Sequence, residues 1–188
     1  MKLFGTLAIG LLATALAGCS TGPQVRADYD HSTNFSLYRT FGYITPLGTD
    51  VDGYSTLITQ RLKAATQREL EARGYRYDDA HPDLLVNFSA KLQNKIDVQP
   101  VMAPPVGYYG YRAAAYYGAW PAYGFQNNVD QYTQGTLNID LVDAARKQLV
   151  WEGVAVGRVT KDKLANPAPA IDNAVKEIFA KYPYRAGQ

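Results

Sequence analysis

The sequence predicts an α+β domain: a mostly antiparallel sheet with two amphipathic helices packed on one face, a two-layer sandwich. Three observations predict it. Apolar and polar residues alternate along 84–92, 137–141 and 149–157, the period of half-buried strands. Two other stretches, 54–73 and 171–182, repeat their apolar residues every three or four positions, as helices do. The strand-like runs are joined by short links, which favours antiparallel neighbours. At 188 residues the chain is long enough for one domain with a real core.

The first 18 residues stand apart. Lys2 is followed by an apolar run from Leu3 to Leu16, and small residues then lead to the only cysteine of the chain. The run is too short for a bilayer, which needs about 20 apolar residues in a helix. It has the parts of a secretory signal. Its end, Leu16-Ala17-Gly18-Cys19, resembles the lipobox, the processing site of bacterial lipoproteins. That resemblance implies a diacylglyceryl group on the Cys19 thiol, cleavage before Cys19 and an N-acyl chain on the new amino terminus. Several acyl chains hold a protein to a membrane where one does not, at about 0.8 kcal/mol per buried methylene. Ser20, where the resemblance places Asp for inner-membrane retention, implies the outer membrane, with the domain on its periplasmic face.

Residues 19–24 then form a lipidated tether. Val25, Ala27 and Tyr29 alternate with Arg26, Asp28 and Asp30 as a strand, and residues 30–34 are turn formers. Residues 38–43 read as a second strand and 46–53 as a loop. In the helix expected over 54–73, Tyr54, Ile58, Leu62 and Ala65 share one face, Asp52 caps the start and Gly74 ends it. Residues 75–77 form a short strand, and Pro82 breaks the chain before the next. Leu84, Val86, Phe88, Ala90 and Leu92 face one way there, and Ile96 and Val98 keep the phase and lengthen the strand.

Residues 99–130 lose every period. Pro100, Pro104, Pro105 and Pro121, with interspersed Gly, exclude a regular element. Order returns at Tyr132, and a polar turn at 143–147 joins the last two strands into a hairpin. Asn166 and Pro167 start a helix whose stripe is Ile171, Ala174, Val175, Ile178, Phe179 and Tyr182. Residues 25–183 thus make one domain with an insert at 99–130, and 184–188 are a tail.

Several of these segments together carry a family resemblance. They are Asp28-Tyr29-Asp30 with residues 34–41, Pro82 to Phe88, Gly135 to Asp143 leading to residues 149–153, and residues 174–178 with Tyr182-Pro183. They resemble a family of bacterial lipoproteins, domain of unknown function 4136, over most of residues 25–183 outside the insert. The resemblance implies a lipoprotein and this fold, and brings no catalytic residue.

The residues offer little chemistry. No Gly-x-Ser-x-Gly elbow or phosphate loop occurs, and His31 and His81 lack a surrounding motif. Asp78, Asp79, His81 and Asp83 are the best group of potential metal ligands, and the preferred reading of them is a solvated turn before a strand. Asp140, Asp143 and Glu152 supply the carboxylates a glycoside hydrolase would pair. Asp140 and Glu152 alternate with core residues, which places them on the wet side of a hairpin. No catalytic residue, metal or cofactor is therefore expected beyond the acyl groups on Cys19. The insert is the one feature a minimal fold does not require. Its Tyr108, Tyr109, Tyr111, Tyr116, Tyr117, Trp120, Tyr123 and Phe125 are candidates for contact with a partner, and read equally as parts of a loop that only joins two long strands. A formal net charge of +2 and Arg112 alone among the rings argue against nucleic acid.

Three readings follow. The first is a non-enzymatic envelope lipoprotein that binds an envelope protein or glycan, or has a structural role, and meets the membrane through its anchor. The second is an envelope hydrolase acting on glycan or peptide. The third is a module that contacts glycan or lipid through the Tyr-rich insert.

Overall fold

The computed structural model describes residues 22–102 and 125–188, and for 99–102 and 125–128 the backbone alone. Six strands form one sheet in the order β1-β6-β5-β4-β2-β3. They are β1 (Gln24–Tyr29), β2 (Thr40–Tyr43), β3 (Arg76–Tyr77), β4 (Leu84–Met102), β5 (Phe125–Asp143) and β6 (Gln148–Val159). The helices are α1 (Leu57–Glu71), α2 (Lys161–Ala165) and α3 (Pro167–Phe179), and a 3-10 turn covers Phe35–Leu37. The expected α+β class holds, with a sheet that is mostly antiparallel. The short α2, capped by Thr160 at the end of β6, was not expected.

The parallel part of the sheet surrounds β2, which runs parallel to both β3 and β4. Helix α1 carries the chain from β2 across to β3, and such a crossover returns a strand in the same direction. The chain then passes β2 again to begin β4 on its other side. Gly42 permits that passage: a Cβ there would stand 3.1 Å from the Cβ of Pro82 and 3.2 Å from the carbonyl oxygen of Asp78. Short links thus failed to predict pairing here, because β3 and β4 are close in sequence and separated by β2 in the sheet.

Helix α1 starts later than its apolar period suggested. Thr56 is its N-cap and accepts a 3.0 Å hydrogen bond from the Thr59 amide. Asp52 instead belongs to a tight turn with Gly53, both at positive φ (48° and 83°), closed by the Val51–Tyr54 bridge. An Asp-Gly pair is a strong signal for such a turn. Tyr54 therefore precedes the helix and is exposed. Gly74, at φ +87°, ends the helix as expected.

The core lies between one sheet face and α1 with α3. Leu84, Val86, Phe88, Ile139, Leu141 and Trp151 meet Leu62, Leu70, Val175, Ile178 and Phe179, all fully or almost fully buried. Trp151 stacks on Phe179 with centroids 5.7 Å apart, and Tyr182 meets the indole edge-on at 5.1 Å. Gly153 beside them leaves room for α3, since a Cβ there would come 2.5 Å from Ile178 Cγ2. Tyr184, in the expected tail, stacks on Phe35 at 3.8 Å.

The strands outrun the expectation for the insert. Residues 99–102 and 125–130 are strand, paired from Gln99–Asn128 to Met102–Phe125. Pro100 does not prevent this. On the side of β4 away from β5 no described strand pairs beyond Val86, so Pro100 lies on a strand with an open outer edge, where a missing N–H is tolerated.

Candidate functional site

One end of the sheet is tied by a polar network. Asp143 is buried and accepts from the Tyr38 hydroxyl (2.8 Å), the Arg146 amide (2.7 Å) and Arg146 Nε (2.9 Å). Burial pushes its carboxyl up, but these donors and the Arg146 charge outweigh burial and leave it below the usual range. Arg146 also donates to Tyr38 (3.1 Å) and to Thr33 Oγ1 (3.2 Å), and Thr33 donates to Asp30 at 2.9 Å. Asp30, Thr33, Tyr38, Asp143 and Arg146 thus fasten the loop after β1 to the β5–β6 turn. Its hydrogen bonds join segments remote in sequence, so the network serves the fold.

The residues considered for a metal diverge. Asp78 accepts from the amides of Ala80 (3.1 Å) and His81 (2.9 Å), and the His81 bond above all holds its carboxyl below the usual range. Asp83 Oδ2 accepts from the amides of Arg39 (2.8 Å) and Thr40 (2.9 Å), which clamps the start of β2. Among the described residues no three His, Cys, Asp or Glu side chains converge to hold an ion.

The carboxylates considered for hydrolysis are partly brought together. Asn87, Asp140, Glu152 and Asp28 are successive register partners across β4, β5, β6 and β1. They lie on the sheet face away from the helices, as the alternation implied. Asn87 Nδ2 donates to Asp140 (3.3 Å) and Asn138 Nδ2 to Glu152 (3.0 Å). Burial pushes the Asp140 carboxyl up and Glu152 adds to this, while Asn87 opposes it. Asp143 is held apart in the network above. The two carboxylates are thus register neighbours, each accepting from the side-chain amide of an Asn.

The distinctive surface is an arm. On the side of β5 away from β4 no described strand pairs before Thr133, where β6 ends, so β4 and β5 project as a two-stranded ribbon. The face that α1 and α3 cover nearer the core continues along it uncovered. There Leu92 is 58% exposed, Ile96 66%, Val98 52% and Val129 59%, Val98 and Val129 are register partners, and Asn94, Thr133 and Gln131 lie among them on the same face. The other face is polar, with Lys91, Gln93, Lys95, Asp97 and Asp130. Arg158 of β6 joins that face: it pairs with Asp130 at 2.7 Å and lies 4.0 Å over the Tyr132 ring. The Asp130 hydrogen bond above all raises the Arg158 pKa and keeps the guanidinium charged.

The root of the arm is also where the N-terminal segment leaves. Gln24 pairs with Val156, which sets Pro23 beside Gly157; Gly157 pairs with Gly135, and Gly135 with Leu92. A Cβ on Gly157 would stand 3.2 Å from Pro23, and one on Gly135 3.5 Å from Leu92. Since β1 is antiparallel to β6, it begins at the end of the sheet from which the arm projects.

Sequence reasoning found Leu92, Ile96 and Val98 as one strand face and missed that the helices stop short of them. It missed Val129, which lies where Pro and Gly suggested a loop. Leu16, Ala17, Gly18 and Cys19 lie outside the described residues, as do Tyr108, Tyr109, Tyr111, Tyr116, Tyr117, Trp120 and Tyr123 of the insert. Phe125 is the first residue of β5.

The fold and this surface define a two-layer α+β domain with a protruding amphipathic hairpin. The chain belongs to the family described as domain of unknown function DUF4136, whose family model matches residues 25–184. The family motifs fall on the polar network, the Asp83 clamp and the Trp151 cluster, so they account for the fold. No curated protein matches the sequence. A PDZ domain protein from Parabacteroides distasonis is similar in structure, with TM-score 0.56 and 14% identity over 87% of this chain and 37% of that one. The present chain therefore spans little more than a third of that protein, and the likeness shows fold alone. A PelC dodecamer from Paraburkholderia phytofirmans matches at TM-score 0.47 and 8% identity, over 87% of this chain and 99% of that one. A minor lipoprotein from Acinetobacter baumannii matches at 0.38 and 8%, over 78% and 92%. Both scores are too low to carry an argument.

Proposed function

We propose that this protein is a lipid-anchored lipoprotein of the bacterial cell envelope, with a binding or structural role and no catalysis of its own. The carrying observation is the sole cysteine at the end of Leu16-Ala17-Gly18-Cys19, four residues before the chain settles against Gly157. Cleavage before Cys19 leaves a tether too short to hold the domain far from its membrane. Ser20 favours the outer membrane as the destination. Among the described residues no helix is long and apolar enough to cross a bilayer, so the acyl chains supply the attachment in this reading. The contact surface is the β4–β5 arm with the aromatic insert that joins its strands, and its partner is lipid, glycan or an envelope protein.

The experiment is intact mass of the protein extracted from cell membranes, beside Cys19→Ser. The expected product lacks residues 1–18 and carries diacylglyceryl and acyl groups, and Cys19→Ser stays an uncut precursor. An unmodified chain in the soluble fraction would overturn the reading.

A further inference from the structure

We propose that the apolar face of the arm lies on the lipid surface that holds the Cys19 acyl chains, making the arm a second point of membrane contact. This deepens the anchored reading above and rests on it.

The first argument is coverage. Leu84, Val86 and Phe88 are fully buried under the helices, and Leu92, Ile96 and Val98 of the same strand face are more than half exposed. Val129 on the neighbouring strand widens the stripe. Asn94, with Thr133 bonded to it and Gln131 opposite Ile96, separates Leu92 from the cluster of Ile96, Val98 and Val129 further out, and an exposed apolar cluster of this kind marks a contact surface. The opposite face is mostly charged and polar, with Lys95 and Asp97 on β4, the Asp130–Arg158 pair bridging β5 and β6, and the Tyr132 ring under Arg158. The ribbon's exposed aliphatic side chains are thus gathered on one side and its charges on the other.

The second argument is reach, and it selects the occupant. Pro23 and Leu92 stand in one row across the sheet, so tether and arm are measured from the same line. At about 3.4 Å per residue, Cys19 lies no more than ~14 Å beyond that row. By the same measure Met102 lies ~34 Å beyond it, in the same direction. Pro23 sits at the Gly157 Cβ position, on the sheet face that bears the stripe. The anchored membrane is thus within the arm's length and on its apolar side.

The third argument fixes the depth. Among the described residues no strand covers the outer edge of β4 beyond Val86 or of β5 before Thr133, and open backbone N–H and C=O groups are not tolerated in hydrocarbon. The arm therefore rests in the headgroup and upper acyl region, where water still reaches those edges, and meets the surface obliquely because the helices stand off the same face behind Leu92.

The test uses the lipidated full-length product with single introduced thiols. A Cys19 sulfur bonded to diacylglyceryl does not react with thiol probes, so Ile96→Cys, Val98→Cys, Gln93→Cys and Lys95→Cys can each be labelled with an environment-sensitive fluorophore. The proteins are placed in phosphatidylethanolamine–phosphatidylglycerol vesicles containing spin-labelled phosphatidylcholine. Positions 96 and 98 should shift to the blue and lose intensity to shallow spin labels, while 93 and 95 keep the emission of a probe in water. Val129→Cys repeats the reading from β5 should a β4 variant misfold. Water-like emission at 96 and 98 overturns the proposal, as does equal quenching on both faces or quenching from the bilayer centre. A blue shift without lipid quenching also overturns it and puts a second protein chain on the stripe. The unsubstituted protein separates the two readings. If it takes up label, Cys19 is unmodified and the anchored reading fails, while the probes still report whether the arm alone engages the vesicle.

Discussion

The Tyr38 hydroxyl donates to Asp143 at 2.8 Å across 105 residues of chain. With Arg146 on the same carboxylate, that bond joins the loop after β1 to the turn of the last hairpin. Tyr38→Phe removes one donor and keeps the ring, so it should cost about 1 kcal/mol. Asp143→Ala leaves the Tyr38 hydroxyl and the Arg146 groups without their acceptor and should cost more, about 2–3 kcal/mol. Urea unfolding of the two variants checks the order.

The acid dependence of stability should have two parts of opposite sign. Asp143 and Asp30 have folded pKa values below their ordinary ones; in Asp30 the Ser32 hydroxyl is the largest cause. Groups of this kind stabilise the fold above their unfolded pKa, and that stability is lost as pH falls through the folded one. Asp140 is the reverse: its folded pKa is raised, chiefly by burial, so its charge opposes folding at neutral pH and its protonation on mild acidification relieves this. Asp140→Asn should raise the unfolding midpoint at pH 7 and give no gain at pH 3. Asp143→Asn should lower it at pH 7 and remove part of the acid sensitivity. Thermal midpoints from pH 7 to pH 3 measure both.

Gly153 is a packing requirement. Its absent side chain is replaced by Ile178 and the Trp151 ring. Gly153→Ala should push α3 from the sheet and cost about 1–3 kcal/mol. A decrease in near-ultraviolet dichroism from Trp151, with little change in the far ultraviolet, would locate the effect.

Phe88 and Ile96 share one strand and one face, and substituting them should have unequal consequences. Phe88→Ala opens a cavity in the core and should cost about 3–5 kcal/mol. Ile96→Lys changes an exposed side chain on the arm and should leave folding stability within about 0.5 kcal/mol. It should nevertheless weaken vesicle association by the arm. Equal destabilisation by the two would mean that the arm is part of the cooperative core.

Much of the fold was legible because each element carries its own period. The alternation through Leu84–Phe88 and Leu137–Leu141 marks strands, and the stripe from Ile171 to Tyr182 marks a helix, since each side is decided by neighbours within a few residues. The parallel placement of β2 was not legible. It depends on the chain crossing over Gly42 and on Asp83 capturing the Arg39 and Thr40 amides, contacts between segments some 40 residues apart. The start of α1 was misplaced because Tyr54 fits the helical phase while Asp52-Gly53 forms a turn. On the carboxylates, local pattern located Asp140 and Glu152 on the wet face and was silent about Asp143, whose partner Tyr38 comes from the far end of the domain.

The residue pattern was sufficient for the class of fold and for the face of β4 that bears its apolar residues, because periodicity is a local property. The folded chain was needed to show where that face stops being covered. Leu84 and Ile96 obey the same alternation, yet one is sealed under α3 and α1 and the other is open. Burial depends on how far the helices reach across the sheet, and that distance is set by packing among elements remote in sequence.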